Sequence, residues 1–172
     1  MIHIVLFEPE IPGNTGNIMR TCVATGTKLH LIEPLGFSLK DKYMKRSGLD
    51  YIKDLEMEVH DSFSSFKNNN KGSYFFLTRY GKQCYSDVNY QGIEEDIYLI
   101  FGKESTGIDK KLLAENLDKC YRIPTLDKVR SLNLANSVNI VLYEVLRQLD
   151  FLNLEKCEPE SLKGKNFLDR FI

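Results

Sequence analysis

The segment RSLNLANSVNIVLYEVLRQL (130–149) joins a regular apolar pattern to an unusually polar beginning. Asn and Ser favour helix caps over helix interiors, because their side chains compete for backbone hydrogen bonds. One Asn or Ser is enough to cap a helix. Five near one helix start therefore predict that some of these side chains contact groups outside the helix. The apolar positions predict one face of a helix that starts at Leu134: Leu134, Val138, Val141, Leu142, Val145 and Leu149. The polar positions are Ser131, Asn133, Asn136, Ser137 and Asn139.

Outward from this helix, strand-like and helix-like segments alternate along the chain. Gly26 is expected just past the end of the first helix, and Asp109 should cap a short helix over Leu112 and Leu113. Nearly continuous apolar strands separated by helices predict an α/β fold with a mainly parallel sheet flanked by helices. The predicted strands are 2–7, 29–32, 74–78, 97–101 and 121–123, and the other predicted helices are 14–25 and 63–67.

Length and composition predict one domain over residues 1–150, followed by a tail over 151–172 with a short helix near 167–171. The chain has 172 residues, 42% hydrophobic and 27% charged, which is typical of a globular protein. Its beginning lacks a signal-peptide pattern and it contains no apolar run of membrane-span length, so a cytoplasmic protein is expected. The net charge of −1 means that any nucleic-acid contact must come from a local patch.

The cysteines and histidines give no ligand pattern. The four cysteines are far apart and form no Cys-x-x-Cys pair, so we expect reduced and mostly buried thiols. His3, His30 and His60 share no ligand spacing with each other or with the cysteines. The sequence therefore predicts no metal site.

Three polar loops, 12–20, 101–109 and 123–136, each follow a predicted strand. In a parallel sheet, ligands bind at the carboxyl ends of the strands. The first loop is not a G-x-G-x-x-G motif, and the second has Ile108 and Asp109 where a phosphate-binding loop needs Lys and Ser or Thr. Each loop alone could be a helix cap with turn glycines. Three together predict a binding site.

Three segments carry a family resemblance: EPEIPGNTGNIMRTC (8–22), FGKESTG (101–107) and RIPTLDKVRSLNLANSVNIVLYE (122–144). They resemble the signatures of the SPOUT RNA 2′-O-methyltransferases, most closely the small tRNA (cytidine/uridine-34) type called TrmL or YibK. The likeness runs from residue 2 to about 150. It implies a C-terminal trefoil knot, a homodimer, S-adenosylmethionine as cofactor and the tRNA anticodon stem-loop as substrate.

The same resemblance implies the site residues. Asn14, Arg20 and Asn133 match positions near the methyl acceptor. Because a guanidinium keeps its proton in proteins, we expect Arg20 to grip a phosphate rather than act as a base. Without the resemblance, Arg20 would be an ordinary solvated helix-face arginine, and Asn133 can be an N-cap in either case. The implied cofactor-binding residues are Leu77, Thr78, Gly102, Glu104, Ile123, Ser131 and Leu132.

The basic stretch KDKYMKR (40–46) is the best local patch for RNA. Basic residues hold phosphates, and an aromatic ring can stack on an unpaired base. The alternative is a solvated charged surface. The predicted RNA-binding residues are Lys40, Lys42, Tyr43, Lys45 and Arg46.

We therefore expect a dimeric enzyme that methylates the ribose 2′-oxygen of tRNA wobble position 34, at C34 or a modified U34. Methylation of another RNA, such as rRNA, and a catalytically silent RNA-binding protein are the alternatives. A mixed outer face on the helix from Leu134 predicts an isologous dimer interface, formed by Asn136, Asn139, Ile140, Tyr143 and Leu146.

Overall fold

The fold is a seven-stranded sheet with helices on both faces, and the computed structural model describes residues 1–39 and 52–172. Every strand pairing in the described part of the chain is parallel. The strands are β1 (Ile2–Phe7), β2 (Lys28–Ile32), β3 (Met57–His60), β4 (Ser73–Leu77), β5 (Gln83–Cys84), β6 (Ile97–Phe101) and β7 (Cys120–Arg122). Their order in the sheet is β3-β2-β1-β6-β4-β7-β5.

Within residues 1–39 and 52–172, four α-helices connect and cover these strands, and their ends follow local signals in the sequence. The helix over Pro12–Thr25 has Pro12 in its first turn and is followed by Gly26, whose φ of 63° is left-handed. Asp109 caps the helix that starts at Lys110, and Asn133 caps the helix that starts at Leu134, each through side-chain bonds to backbone N–H groups. The helices are α1 (Pro12–Thr25), α2 (Phe63–Asn69), α3 (Lys110–Ala114) and α4 (Leu134–Gln148).

The core lies on both faces of the sheet, because alternate residues of each strand point to opposite sides. On β1, Ile4 and Leu6 belong to the cluster formed with α1 and α4, whereas Val5 and Phe7 belong to the cluster formed with α2 and α3. All four are buried. The prediction of a parallel sheet covered on both faces is confirmed.

Several sequence expectations need correction. Strands β3 and β5 were not predicted, and the short helix at the end of the tail is a 3-10 helix, Phe167–Phe171. Leu146 is buried in the core rather than placed on the outer face of α4, because that position faces the sheet. Only two of the four cysteines, Cys22 and Cys120, are buried, and all four are free.

Two further expectations concern the three histidines and the basic stretch 40–46. His3, His30 and His60, which sequence spacing does not connect, lie in a row on three neighbouring strands. The basic stretch 40–46 lies outside the described residues. Within residues 1–39 and 52–172, the helices are too short or too polar for a membrane crossing.

Candidate active site at the carboxyl edge of the sheet

A cavity of about 580 Å³ opens where β4, β6 and β7 end. Three strand-end loops and the start of α4 form its wall, as the predicted parallel sheet requires. Its volume lies within the range of about 300–1,000 Å³ that is typical of small-molecule sites. The wall is built from residues 77–80, 101–108, 122–123, 125 and 130–134, with Ile11, Asn14, Lys110 and Ser137 completing it.

The structure brings nine of the ten predicted catalytic and cofactor-binding residues to this one cavity. Asn14 and Asn133 line it, but Arg20 does not. The side chain of Arg20 is exposed on α1. All seven predicted cofactor residues line the cavity: Leu77, Thr78, Gly102, Glu104, Ile123, Ser131 and Leu132.

Glu104 joins the loop after β6 to the segment that leads into α1. Its Oε2 accepts a hydrogen bond from the backbone N–H of Glu10 (2.9 Å), and its Oε1 accepts from the N–H of Ile11 (3.3 Å) and from Asn14 Nδ2 (2.9 Å). Both carboxylate oxygens therefore have protein donors. Glu104 shapes the cavity by fixing two loops against each other.

Asn14 and Asn133 continue this network to the start of α4. Asn14 Oδ1 accepts a hydrogen bond from Asn133 Nδ2 at 3.0 Å. The side chain of Asn133 in turn accepts from the backbone N–H groups of Ala135 (2.9 Å) and Asn136 (3.3 Å). One chain of hydrogen bonds thus runs from the loop after β6, through α1, to the N-terminus of α4.

This network accounts for most of the polar residues at the beginning of segment 130–149. Asn133 caps α4, and Ser137 Oγ donates to the carbonyl of Asn133 at 3.0 Å. Asn139 Oδ1 accepts from Thr21 Oγ1 of α1 at 2.8 Å. Ser131 lines the cavity, and Asn136 is exposed. The polar side chains therefore join α4 to α1 and to the cavity. This agrees with the prediction that more Asn and Ser residues than one cap needs would make contacts outside the helix.

A doubly hydrogen-bonded carboxylate and a salt bridge strengthen the same loop contact. The Ser105 hydroxyl and N–H both donate to Glu10, at 2.8 and 2.9 Å, and these bonds lower the pKa of the Glu10 carboxyl. Lys103 Nζ lies 2.5 Å from Glu8 Oε2, and this hydrogen bond raises the pKa of Lys103. The Glu10 carboxylate and the Lys103 ammonium group therefore both stay charged at neutral pH. Sequence reasoning assigned no role to Glu8 and Glu10, although both lie within the first signature segment (8–22).

A group of cations at the cavity was also missed from the sequence. Arg79 lies 5.5 Å and Lys110 lies 5.7 Å from the ring centroid of Tyr80, within the range of cation–π contacts. Arg122 and Arg130 line the same cavity. Their place in the sequence could have identified two of these residues, because Arg79 and Tyr80 directly follow Thr78, a predicted cofactor-binding residue.

Gly102 is required by the close approach of its own loop. A Cβ atom there would lie 2.2 Å from the backbone nitrogen of Ile108 and 2.4 Å from the carbonyl carbon of Gly107. Backbone atoms cannot move aside as a flexible side chain can. The glycine therefore lets the loop fold back on itself and form one wall of the cavity.

Helices α1 and α4 pack together and present a joint outer surface, which we call the α1–α4 surface. It consists of Asn17, Arg20 and Ala24 on α1 and of Asn136, Ile140 and Tyr143 on α4, all exposed. Ile140 is 36% exposed and Tyr143 49%. Because both triplets follow helical spacing, each forms one stripe. The Thr21–Asn139 hydrogen bond lies between the helices.

Comparison with known proteins identifies relatives that extend over most of the chain. Residues 1–143 match the SpoU rRNA methylase family. The tRNA (cytidine(34)-2′-O)-methyltransferase of Yersinia pestis is 43% identical over 158 residues, covering 88% of this chain and 96% of the relative.

Solved structures share the fold. A protein studied for the 2-OH methylation of C/U34 on tRNA has a TM-score of 0.81 and 41% identity, covering 87% of this chain and 97% of its own. The AdoMet-bound rRNA methyltransferase of Sinorhizobium meliloti has a TM-score of 0.76 at 24% identity, covering 86% of this chain and 56% of its own. At that lower identity the likeness concerns the fold alone.

Proposed function

The chain belongs to the SpoU rRNA methylase family, and from this premise we propose that it methylates the ribose 2′-oxygen of tRNA wobble position 34. S-adenosylmethionine is the proposed methyl donor. The observation that carries the proposal is the convergence of seven predicted cofactor residues on one cavity at the strand ends. The name of the Yersinia pestis relative supports position 34 as the target.

The cavity fits the proposed cofactor in size and in chemistry. S-adenosylmethionine, when bound, would supply a sulfonium methyl group for transfer to an RNA 2′-oxygen, with S-adenosylhomocysteine as the leaving group. Leu77, Ile123 and Leu132 offer apolar surface for an adenosine moiety, and Leu132 is 37% exposed at the cavity. Ser131 and the nearby cations offer partners for an amino-acid carboxylate. Membership of the SpoU rRNA methylase family supports a methyl-donor cofactor at this cavity.

RNA binding beside this cavity is supported by its cations. The proposed contacts are Arg79, Lys110, Arg122 and Arg130 at the cavity, with Tyr80 as a surface on which a base can stack. The patch formed by Lys40, Lys42, Tyr43, Lys45 and Arg46 remains a further predicted contact with the anticodon stem-loop. These local charges would offset the weak affinity expected from a net charge of −1.

A homodimer is proposed to complete the site. Arg20 is exposed and does not line the cavity of its own chain, so we place it at the cavity of the partner subunit, across the α1–α4 surface. There its planar guanidinium can grip a phosphate that flanks the target ribose. Asn14 and Asn133, which line the cavity, would orient the acceptor. Alignment of this kind can supply several kcal/mol, and solvent or a phosphate oxygen takes the proton.

Two further parts of the proposal concern topology and location. We infer a C-terminal trefoil knot from the family resemblance. The path of the chain supports this inference. Strand β7 lies in the sheet between β4 and β5, and the chain after β7 leads to α4, which contacts α1. A cytoplasmic location is proposed because tRNA modification requires access to tRNA.

The test is ribose-methylation mapping with purified protein. The chain, S-adenosylmethionine and tRNA from a strain lacking the gene are incubated, and nuclease fragments are analysed by mass spectrometry. A new 2′-O-methyl group confined to position 34 would support the proposal. Methylation of rRNA instead would favour the other substrate class, and tRNA binding without methyl transfer would favour a silent RNA-binding protein.

A further inference from the structure

Three histidines form a continuous row on one face of the sheet, away from the proposed methyl-transfer site. His3 on β1, His30 on β2 and His60 on β3 are all buried, with exposures of 5%, 0% and 7%. His3 Nδ1 lies 2.9 Å from His30 Nε2, and His30 Nδ1 lies 2.9 Å from His60 Nε2. The row ends at the edge strand of the sheet, where a fourth side chain joins it.

That side chain is Glu58, the register partner of His30 on β3. Its Oε2 lies 3.9 Å from His30 Nδ1 and 3.7 Å from His60 Nε2. Its Oε1 is held by Lys28 Nζ at 2.5 Å. The carboxylate is therefore oriented by Lys28, with one oxygen facing both imidazoles.

We propose that His30 Nδ1, His60 Nε2 and Glu58 Oε2 bind a divalent metal ion of the zinc class. Separations of 2.9, 3.7 and 3.9 Å place the three atoms on a circle with a radius of about 2.1 Å, close to the usual Zn–N and Zn–O distances of about 2.0–2.2 Å. A cation at its centre reaches all three atoms. Two imidazoles and one carboxylate are a known ligand set for zinc, with a water molecule in the fourth position.

The surroundings match those of metal-bound histidines, which usually donate their second ring N–H to a partner. With its proton on Nε2, His30 donates to His3 Nδ1, and His3 Nε2 faces Asp96 Oδ2 at 3.6 Å. Burial lowers the pKa of His30 to about 3 and also lowers those of His3 and His60. The imidazoles are therefore neutral at pH 7, the state in which histidine binds metals.

Entry to the site is from the side of Glu58, whose side chain is 48% exposed. The bound ion would join β2 to β3, the outermost strand at this end of the sheet. Its role would be to hold that edge strand, because the catalytic cavity is lined from other strands. The proposal is thus independent of methyl transfer.

The experiment uses the full chain, stripped with a chelator and titrated with Co²⁺ and then with Zn²⁺. We expect one Co²⁺ per chain with the visible absorption of a four-coordinate site, displaced by one Zn²⁺, and a higher melting temperature with Zn²⁺. Thiolate-to-cobalt absorption in the near ultraviolet would assign the ion to cysteines and overturn the proposal. A stoichiometry near zero would also overturn it.

Variants locate the ion. Glu58→Gln and His60→Gln should each weaken Zn²⁺ binding by more than about 100-fold, beyond the 10–100-fold loss typical of outer-shell changes. The control Glu56→Gln removes the same charge from an exposed residue nearby and should bind normally. Glu58 is half exposed, so its variant should fold even if His60→Gln does not, as circular dichroism will establish. Unchanged binding in Glu58→Gln contradicts the assignment, whereas methyl transfer should persist in that variant.

Discussion

At the scale of single residues, the site depends on Glu104 through the loops that it joins. Glu104→Gln replaces an acceptor of three hydrogen bonds by a neutral amide that directs an NH₂ group at donors. Hydrogen bonds to charged groups contribute about 1.5–3 kcal/mol each. We expect S-adenosylhomocysteine affinity, measured by calorimetry, to fall by about 10–100-fold, together with a lower melting temperature of the ligand-free protein.

The control for this change is Glu115→Gln, on an exposed residue at the end of α3. This control should change neither the S-adenosylhomocysteine affinity nor the melting temperature. If Glu104→Gln lost affinity at an unchanged melting temperature, Glu104 would contact the ligand directly, and the loop-joining role would be wrong.

Cysteine reactivity tests burial at the same scale. Burial raises the pKa of the Cys22 thiol to about 12, so at pH 8 only about one in ten thousand of these thiols is ionised, and the thiolate is the reactive form. Iodoacetamide should label exposed Cys157 first, with Cys22 unlabelled in the folded protein. Mass spectrometry of timed samples measures the order. Labelling in urea, where all four should react, is the control, and early labelling of Cys22 would contradict the packing.

At the scale of elements, the sequence predicted those parts that carry local signals. Gly26, Asp109 and Asn133 mark helix ends because their backbone or side-chain chemistry acts within a few residues. The apolar strands were found for a similar reason, since both of their faces are buried. Local chemistry was sufficient for these elements.

The missed features depend on contacts between distant segments. Strand β3 carries Glu58 and His60, which are unusual inside a strand until Lys28 and His30 lie beside them. The sequence cannot say that β2 and β3 are neighbours. The burial of Leu146 was missed for the same reason, because it depends on which side of α4 the sheet covers. The cavity residues were predicted through the family resemblance, because the family's fold already specifies which distant segments lie side by side.

The loop after β6 gives a prediction at this scale. Gly102→Ala places a methyl group against the backbone of Gly107 and Ile108, so the loop must open. Overpacking of this kind costs about 1–3 kcal/mol. We expect a comparable fall in the free energy of unfolding in urea, and at least a tenfold (about 1.4 kcal/mol) loss of S-adenosylhomocysteine affinity.

The matched control is Gly13→Ala at the start of α1, where a Cβ would meet nothing within 4 Å. That variant should be as stable as the parent or slightly more stable, because alanine restricts the unfolded chain. If both glycine variants lost the same stability, the close approach at Gly102 would not be the cause.

At the scale of the whole molecule, the α1–α4 surface should be the dimer interface. Ile140 and Tyr143 are exposed apolar or aromatic residues on one stripe, and such a stripe suits a two-fold contact. Ile140→Asp should give monomers in light scattering and lose tRNA methylation. Leu168→Asp changes an exposed leucine in the tail and should remain dimeric and active. An active Ile140→Asp monomer would contradict the dimer requirement.

Mixed dimers test whether each active site takes its arginine from the partner. Arg20→Ala removes the arginine, and Leu132→Asp blocks the cavity; each should be inactive as a homodimer. When the two are co-expressed with different tags, one site of the heterodimer combines an intact cavity with Arg20 of the partner subunit. That heterodimer should have about half of the parental methyl-transfer rate, because one site in two is complete. If Arg20 served the cavity of its own chain, neither site would be complete, and the heterodimer would be as inactive as its parents.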